Sequence, residues 1–273
     1  MSRDEVAFAI YLAAREGWNP GLHDAAGFHA ADPGGFLIGR LDGEPIGCIS
    51  AVSYPGGFGF IGLYIVIPDR RGQGYGIRLW RAGMARLAGH NVGLDGVLAQ
   101  QDNYRRSGFR MAYSNIRYER TGPLAAATAP ELAPLSAVPF AALLEYDRRH
   151  FPAPREAFLR NWIAQPDSTG LALVAGGTLR GYGVIRRCLQ GHKIGPLFAD
   201  DARVARDLYV ALCRHAGDTE PVYLDVPETN AAGLALAEEF GMKKVFGTAR
   251  MYTGALPEIP AAQVYGVTTF ELG

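Results

Sequence analysis

The chain has 273 residues, of which 48% are hydrophobic and 20% charged, and its 27 basic residues balance 27 acidic ones. This length suggests two domains, and the lack of excess positive charge argues against nucleic acid as a partner. Cys48, Cys188 and Cys213 lack metal-site spacing, so the sequence predicts no metal site and no disulfide framework. With a charged start and no long apolar run, it predicts no signal peptide, no membrane partner and a cytoplasmic location.

Apolar periodicity divides the first half of the chain into helices and strands in a mixed order. The predicted elements are helices over Glu5–Glu16 and after His23, strands over Gly35–Arg40, Pro45–Ser53 and Phe58–Ile67, a helix over Gly76–Leu87 and a strand over Val92–Leu98. A short helix and a last strand follow. Helices mixed with meandering strands indicate an α+β, or mixed α/β, fold.

The second half repeats this order after a stretch rich in Ala, Pro and Thr. Its predicted elements are helices over Phe140–His150 and Arg155–Ala164, strands over Gly170–Ala175, Leu179–Arg187 and Lys193–Leu197, a helix over Ala202–His215 and a strand over Pro221–Val226. Features such as Ile61-Gly62 and Ile194-Gly195 match at a spacing of about 133 residues. We therefore predict a tandem duplication, with domains over residues 1–122 and 140–273 and a linker over residues 123–139.

A glycine-rich loop between an apolar strand and an amphipathic helix carries the most informative chemistry. The loop reads Arg71-Gly72-Gln73-Gly74-Tyr75-Gly76 and follows the strand end Val66-Ile67-Pro68. Glycines let backbone N–H groups approach a ligand, and the helix start adds unpaired donors and the positive end of its dipole. This combination predicts a pyrophosphate cradle. The loop lacks the Gly-Lys-Ser/Thr ending of a nucleotide P-loop and the spacing and position of a dinucleotide loop.

The loop resembles the R/Q-x-x-G-x-G/A acyl-CoA loop of the GNAT superfamily of N-acetyltransferases. Leu94–Phe109 is similar to that family's next strand, short helix and closing Gly-Phe, with Tyr104 where many GNAT enzymes keep a tyrosine. The resemblance implies tandem GNAT-like folds, each a mixed, mostly antiparallel sheet flanked by helices. It implies that acetyl-CoA, the acyl donor, is bound by Arg71–Gly76 and by the backbone near Ile65 and Val66. The acceptor would be an amine on a small molecule or peptide.

Acetyl transfer to an amine needs a proton donor for the departing thiolate and a proton acceptor for the amine. The resemblance implies that Tyr104 is the donor, since its ordinary pKa of about 10 exceeds the roughly 8.5 of a thiol; packing is its alternative role. No base is assigned from the sequence. Asp95 is the best single candidate for the base, and a candidate for binding the acceptor, because it interrupts an apolar strand. An aspartate at the matching place of the second half favours a structural role instead. Trp18, Asn19 and Tyr54 are further candidates for binding the acceptor.

The second half lacks the residues of the glycine-rich loop. At the repeat spacing, the counterparts of Arg71, Gly74 and Gly76 are Val204, Asp207 and Tyr209, and Ala237 stands at the tyrosine position. Asp200 and Asp201 would repel a pyrophosphate. We therefore predict that the second half is a degenerate GNAT-like domain that binds no CoA. A non-catalytic acyl-CoA-binding or sensing protein is the alternative function, and the sequence leaves a homodimer open.

Overall fold

The computed structural model describes residues 1–124 and 132–273. The first half contains α1 (Arg3–Arg15), α2 (Asp24–Ala31), β1 (Phe36–Leu41), β2 (Glu44–Tyr54), β3 (Phe58–Val66), α3 (Tyr75–Arg86), β4 (Asn91–Val97), α4 (Gln101–Arg106) and β5 (Arg110–Arg120). The second half contains β6 (Ala133–Pro134), α5 (Phe140–His150), α6 (Glu156–Trp162), β7 (Ser168–Ala175), β8 (Thr178–Arg187), β9 (His192–Ala199), α7 (Ala202–Ala216), β10 (Val222–Pro227), α8 (Ala231–Glu239), β11 (Lys243–Tyr252) and β12 (Val264–Gly266). The predicted mixed α/β fold is confirmed. Part of the predicted linker, residues 125–131, lies outside the described residues.

One sheet runs through both halves, and the halves exchange their last long strands. The strand order is β1-β2-β3-β4-β11-β5-β10-β9-β8-β7-β6, with β12 added to β9. From the second half, β11 lies between β4 and β5. From the first half, β5 lies between β11 and β10. Each half therefore completes the sheet of the other, an arrangement that the sequence analysis did not predict.

Helices cover both faces of this sheet. Successive side chains of a strand point to opposite faces, so Phe60 packs in the core that includes α1 and Ile61 packs in the core that includes α3. The first of these cores continues into the second half, where the rings of Phe28 and Trp162 stack with centroids 6.1 Å apart. The two halves thus share a hydrophobic core as well as a sheet.

Two buried salt bridges join the exchanged strands in matching positions. Asp95 on β4 pairs with Arg250 on β11, whose Nε lies 2.9 Å from Oδ1. Asp225 on β10 pairs with Arg117 on β5, with Nε–Oδ1 and Nη2–Oδ2 distances of 2.7 and 2.8 Å. Burial would raise the pKa of the Asp225 carboxyl, but the Arg117 guanidinium holds that pKa below its ordinary value. An aspartate inside each apolar strand therefore supplies half of a charge pair between the halves.

Removing one partner of the Asp225–Arg117 pair would leave a buried charge without compensation. We expect Asp225→Asn to lower the free energy of unfolding by about 3–5 kcal/mol, because Arg117 is only 4% exposed and keeps its charge. Urea denaturation followed by circular dichroism measures this loss. Glu156→Gln, which breaks an exposed pair with Arg160, is the control and should cost about 0.5 kcal/mol or less. Equal losses in the two variants would contradict a stabilising role for the buried pair.

The parallel strands β3 and β4 diverge and open a cleft in the sheet. Their pairing joins Phe58–Ile61 to Asn91–Leu94. Beyond that point β3 bulges against β2, and Leu63 takes a left-handed φ of 45°. The bulge accompanies the separation of the two strands, so residues 62–66 have no partner on β4 within the described sheet.

The corresponding cleft between β9 and β10 is filled by the chain itself. These strands pair over His192–Ile194 and Val222–Leu224. Beyond that point, β12 adds to β9 in the place that the first half leaves open. The Asn230 side chain holds β12 by donating to the Val264 carbonyl oxygen at 2.9 Å. The first half thus keeps a cleft that the second half has closed.

Residues 267–273, the C-terminal tail, run from the filled cleft to the open one. A Cβ on Gly195 would lie 2.4 Å from the carbonyl oxygen of Thr268, and a Cβ on Gly62 would lie 2.1 Å from that of Glu271. These glycines are the matched pair seen in the sequence repeat. The repeat therefore has a physical cause at this point, because a side chain at either position would collide with the backbone of the tail.

Candidate active site

The cleft between β3 and β4 opens into a cavity of about 730 Å³. The first half supplies the ends of β3 and β4, part of the glycine-rich loop, the start of α3, and α4. The second half supplies residues of β11 and of the C-terminal tail. Groups from distant parts of the chain therefore line the same cavity.

The glycine-rich loop forms a cradle of backbone donors beside this cavity. Gly72 and Gly74 take left-handed φ angles of 71° and 84°, which favour glycine, and the space where a Cβ would lie is open at each. Gly74 is the N-cap of α3, and no described side chain caps this helix. The first turn of α3 therefore keeps unpaired N–H groups and carries no acidic residue. These features fit a pyrophosphate, whose negative charge a helix start stabilises.

Arg71 ties the loop to the end of β3 and to α1. Its Nε donates to the Val66 carbonyl oxygen at 2.7 Å, and its guanidinium forms an ion pair with Glu16. Of the predicted cofactor-binding residues, those on the cavity wall are Ile65, Val66, Arg71, Gly72 and Gly76, and those elsewhere in the loop are Gln73, Gly74 and Tyr75. The Gln73 side chain donates instead to the Asp69 carbonyl oxygen at 3.0 Å. Five of the eight predicted cofactor-binding residues therefore lie on the cavity wall, and the other three lie in the loop outside that wall.

Tyr104, the predicted proton donor, lines the cavity from α4. Its ring packs on Gly96, where a Cβ would lie 2.2 Å from the ring, and against Trp80, with ring centroids 5.6 Å apart. Burial, with a smaller effect from Tyr64, raises the pKa of the Tyr104 hydroxyl to about 12. The hydroxyl therefore keeps its proton throughout the neutral pH range, as a general acid must.

Two of the four predicted acceptor-binding residues, Trp18 and Asp95, line the cavity. The oxygens of Asp95 are already engaged. Both accept hydrogen bonds from Arg250, and Oδ1 accepts another from Asn115 at 2.8 Å. Asp95 is thus on the wall of the cavity but is occupied by the salt bridge between the halves.

The other two, Asn19 and Tyr54, are not among the lining residues. The Asn19 side chain exchanges two hydrogen bonds of 2.9 Å with the backbone of Gln190. The buried Tyr54 hydroxyl donates to the Leu272 carbonyl oxygen at 3.1 Å. Both side chains therefore hold the second half against the first and are not part of the cavity wall.

Four lining residues come from the second half and were not predicted. They are Phe246 and Thr248 on β11, and Phe270 and Glu271 in the C-terminal tail. The Arg117 guanidinium lies 5.8 and 4.8 Å from the ring centroids of Phe246 and Phe270. Local sequence patterns hold no signal for these residues, because strand exchange and the tail bring them to the cavity from a distant part of the chain.

Between β9 and α7, a stretch that the structure describes throughout, the second half has no counterpart of the glycine-rich loop. Residues 67–73 separate β3 from the N-cap of α3, whereas Asp200 alone separates β9 from Asp201, the N-cap of α7. The Asp201 carboxylate accepts a hydrogen bond from the Val204 amide at 3.0 Å, so it occupies the helix start. The positional matches of Val204, Asp207 and Tyr209 to the loop are wrong, because the shorter connection places all three inside α7.

The described residues contain neither a membrane-spanning helix nor a candidate metal site. Within residues 1–124 and 132–273, no helix is long and apolar enough to cross a bilayer. The same residues contain no group of three or more His, Cys, Asp or Glu side chains that could hold a metal ion. The three cysteines are buried and free.

Comparisons with known proteins match this architecture. A model of the acetyltransferase (GNAT) family matches residues 5–109, and a model of an acetyltransferase (GNAT) domain matches residues 143–266. The holothin acyltransferase of Pseudoalteromonas sp. (strain SANK 73390) is 28% identical over 261 residues, covering 96% of this chain and 89% of the relative.

Two solved structures share the fold over nearly the whole chain. A protein from Pyrococcus horikoshii has a TM-score of 0.83 at 22% identity and covers 100% of this chain and 94% of its own. A tandem GNAT protein from the clavulanic acid biosynthesis pathway has a TM-score of 0.63 at 15% identity, covering 94% and 98%. The chain therefore belongs to the GNAT superfamily of acyltransferases, as a tandem member with a GNAT fold in each half.

Proposed function

We propose that the protein is an N-acetyltransferase that moves an acetyl group from acetyl-CoA to the amine of a small molecule. The observation that carries the proposal is the open glycine-rich loop and uncapped start of α3 beside a cavity that Tyr104 also lines. The second half, with its filled cleft and capped helix start, binds no CoA in this proposal. The proposal therefore predicts one acetyl-CoA site per chain.

Each part of the site has a separate role in the proposed transfer. When bound, acetyl-CoA supplies the acyl group as an activated thioester. The backbone N–H groups of the loop and of the α3 start hold its pyrophosphate. The backbone of Ile65 and Val66, left without a strand partner on the β4 side, lies along the open cleft and is available to the rest of the donor. The Tyr104 hydroxyl gives its proton to the departing sulfur.

The lining of the cavity favours one class of acceptor. At the end formed with the second half, its wall includes the aromatic side chains of Trp18, Phe246 and Phe270. Such a wall favours an amine carried on an apolar or aromatic body, since polar groups would lose hydration there without compensation. One similar protein is named for the acylation of holothin, so holothin is the first acceptor to test.

A variant of the loop tests whether it is the donor site. We expect Gly74→Asp to weaken acetyl-CoA binding by about 100-fold or more, because it places a carboxylate where the pyrophosphate lies. Gly74→Asn is the matched control: it has the same shape, tolerates a positive φ and carries no charge. Calorimetry should give one site per chain for the parent and a much smaller loss for Asn than for Asp. Two sites per chain, or equal affinity in the parent and the Asp variant, would contradict the assignment.

Turnover separates the enzyme from a non-catalytic acyl-CoA-binding protein. The parent is mixed with acetyl-CoA and holothin, or with benzylamine, tyramine or tryptamine, and free thiol is measured as it appears. Acceptor-dependent release of CoA that disappears in Gly74→Asp supports the transferase. Tight binding of acetyl-CoA with no release for any of these amines favours the binding protein.

A further inference from the structure

The C-terminal tail brings an acidic residue, Glu271, to the wall of the cavity. The tail is fixed at that point, because the Thr269 hydroxyl oxygen accepts hydrogen bonds from the amides of Glu271 and Leu272 at 3.2 and 3.0 Å. The Glu271 backbone lies directly on Gly62, at the position where β3 and β4 separate. Glu271 is therefore held in place where the open cleft begins.

Three carboxylate residues line the cavity, and they differ in how they are paired. Glu16 forms an ion pair with Arg71, and Asp95 forms one with Arg250. Among the described residues, Glu271 has no partner of opposite charge within 4.0 Å, although it is only 5% exposed. Structural buried carboxylates elsewhere in this chain, such as Asp225 and Asp147, are each matched to an arginine. An unpaired buried carboxylate is costly, so its presence at a cavity points to a function.

The charged groups around Glu271 come from four other elements and are engaged elsewhere. They are Asp24 on α2, Arg117 on β5, Arg186 on β8 and Lys193 on β9. Arg117 is paired with Asp225, and Arg186 with Asp24. The Lys193 ammonium donates to the Asn19 carbonyl oxygen at 2.9 Å. Burial raises the pKa of the Glu271 carboxyl, and these cations only partly oppose that effect.

We propose that Glu271 is the general base of the transfer, receiving the proton that the acceptor amine loses. The proposal rests on the N-acetyltransferase function. The amine nitrogen bonds to the acyl carbon and the carbon–sulfur bond breaks. Glu271 takes the proton from nitrogen while Tyr104 gives its proton to sulfur. Transfer of a proton from Glu271 to the Tyr104 oxygen through solvent restores both groups, so the net reaction turns an amine and a thioester into an amide and a thiol.

The test compares the parent with Glu271→Gln, using acetyl-CoA and the amine that the parent acetylates fastest among the four named above. At pH 8 we expect kcat/KM to fall by about 10²–10⁴-fold, with acetyl-CoA affinity changed by less than about twofold. The Tm should rise by a few degrees, because the variant removes a buried charge that lacks a partner. Glu258→Gln makes the same change at an exposed position of the second half. It should leave kcat/KM, acetyl-CoA affinity and Tm unchanged.

The ratio of parent to variant rates across pH is the decisive readout, since titration of the acceptor cancels in it. The ratio should be largest at high pH and fall towards one as pH drops through the raised pKa of Glu271, because a protonated carboxyl accepts no proton. A parent-like rate in a folded Glu271→Gln, or a ratio independent of pH, would overturn the proposal while leaving the transferase function intact. Absence of transfer by the parent with all four amines would overturn both.

Discussion

Residues 1–122 expressed alone should fail to form a soluble folded domain. In the whole chain β11 lies between β4 and β5, so the isolated half has a gap of one strand in its sheet. It also loses Arg250, the partner of buried Asp95, and Asp225, the partner of Arg117. Unpaired strand edges and uncompensated charges both favour aggregation over folding. We expect nearly all of the fragment in the insoluble fraction, measured by centrifugation and gel analysis.

Complementation is the control for this experiment. Co-expression of residues 132–273 supplies β11, β12 and the tail and should return residues 1–122 to the soluble fraction as a 1:1 complex. Size-exclusion chromatography with light scattering identifies that complex. A soluble, monomeric fragment 1–122 with a cooperative unfolding transition would show that the exchanged strand is dispensable.

Tyr104→Phe should lower kcat by about 10²–10⁴-fold if this hydroxyl protonates the departing sulfur. The ring packs on Gly96 and Trp80, and Phe keeps those contacts, so acetyl-CoA affinity and stability should change little. Because burial raises the pKa of Tyr104 to about 12, the hydroxyl stays protonated up to about pH 10. The parent should therefore show no loss of rate from this group as pH rises from 7 to 10.

Tyr64 provides the comparison, because it lines the same cavity and its ring lies 5.4 Å from that of Trp80. Its hydroxyl lies by the start of α3, where a Cβ on Gly76 would be 2.7 Å away. We expect a smaller loss of kcat in Tyr64→Phe than in Tyr104→Phe. A large loss in Tyr64→Phe with a normal rate in Tyr104→Phe would move the proton donor to Tyr64.

Local patterns in the sequence were sufficient to predict most elements and the glycine-rich loop between β3 and α3. Strand and helix periods depend on near neighbours, and the glycines at positions 72 and 74 are required by the left-handed backbone that the loop adopts. The repeat also identified the pair Gly62 and Gly195 before their common cause, the passing tail, was visible. Features determined by residues close together in the chain could therefore be predicted from the sequence.

The end of the cavity formed with the second half could not be predicted in the same way. Asp95 appeared as a candidate for binding the acceptor because its partner, Arg250, lies on a strand of the other half. Glu271 follows no recognisable motif. Among the described carboxylates that line the cavity, it is distinguished by forming no ion pair, which is a property of the folded chain. The matched offset also failed at α7, where a shorter connection shifts the register of the repeat.

The exchanged strands have a consequence for how the protein is made. Synthesis proceeds from the N-terminus, and about 130 residues separate the end of β5 from the end of β11. At roughly 5–20 residues per second, a ribosome needs on the order of ten seconds to add them. During that interval the nascent first half has neither the strand that fills its gap nor the counter-ions of Asp95 and Arg117. The first half therefore cannot complete its sheet until β11 has been synthesised. Until then, the nascent chain has an open sheet that chaperones can protect.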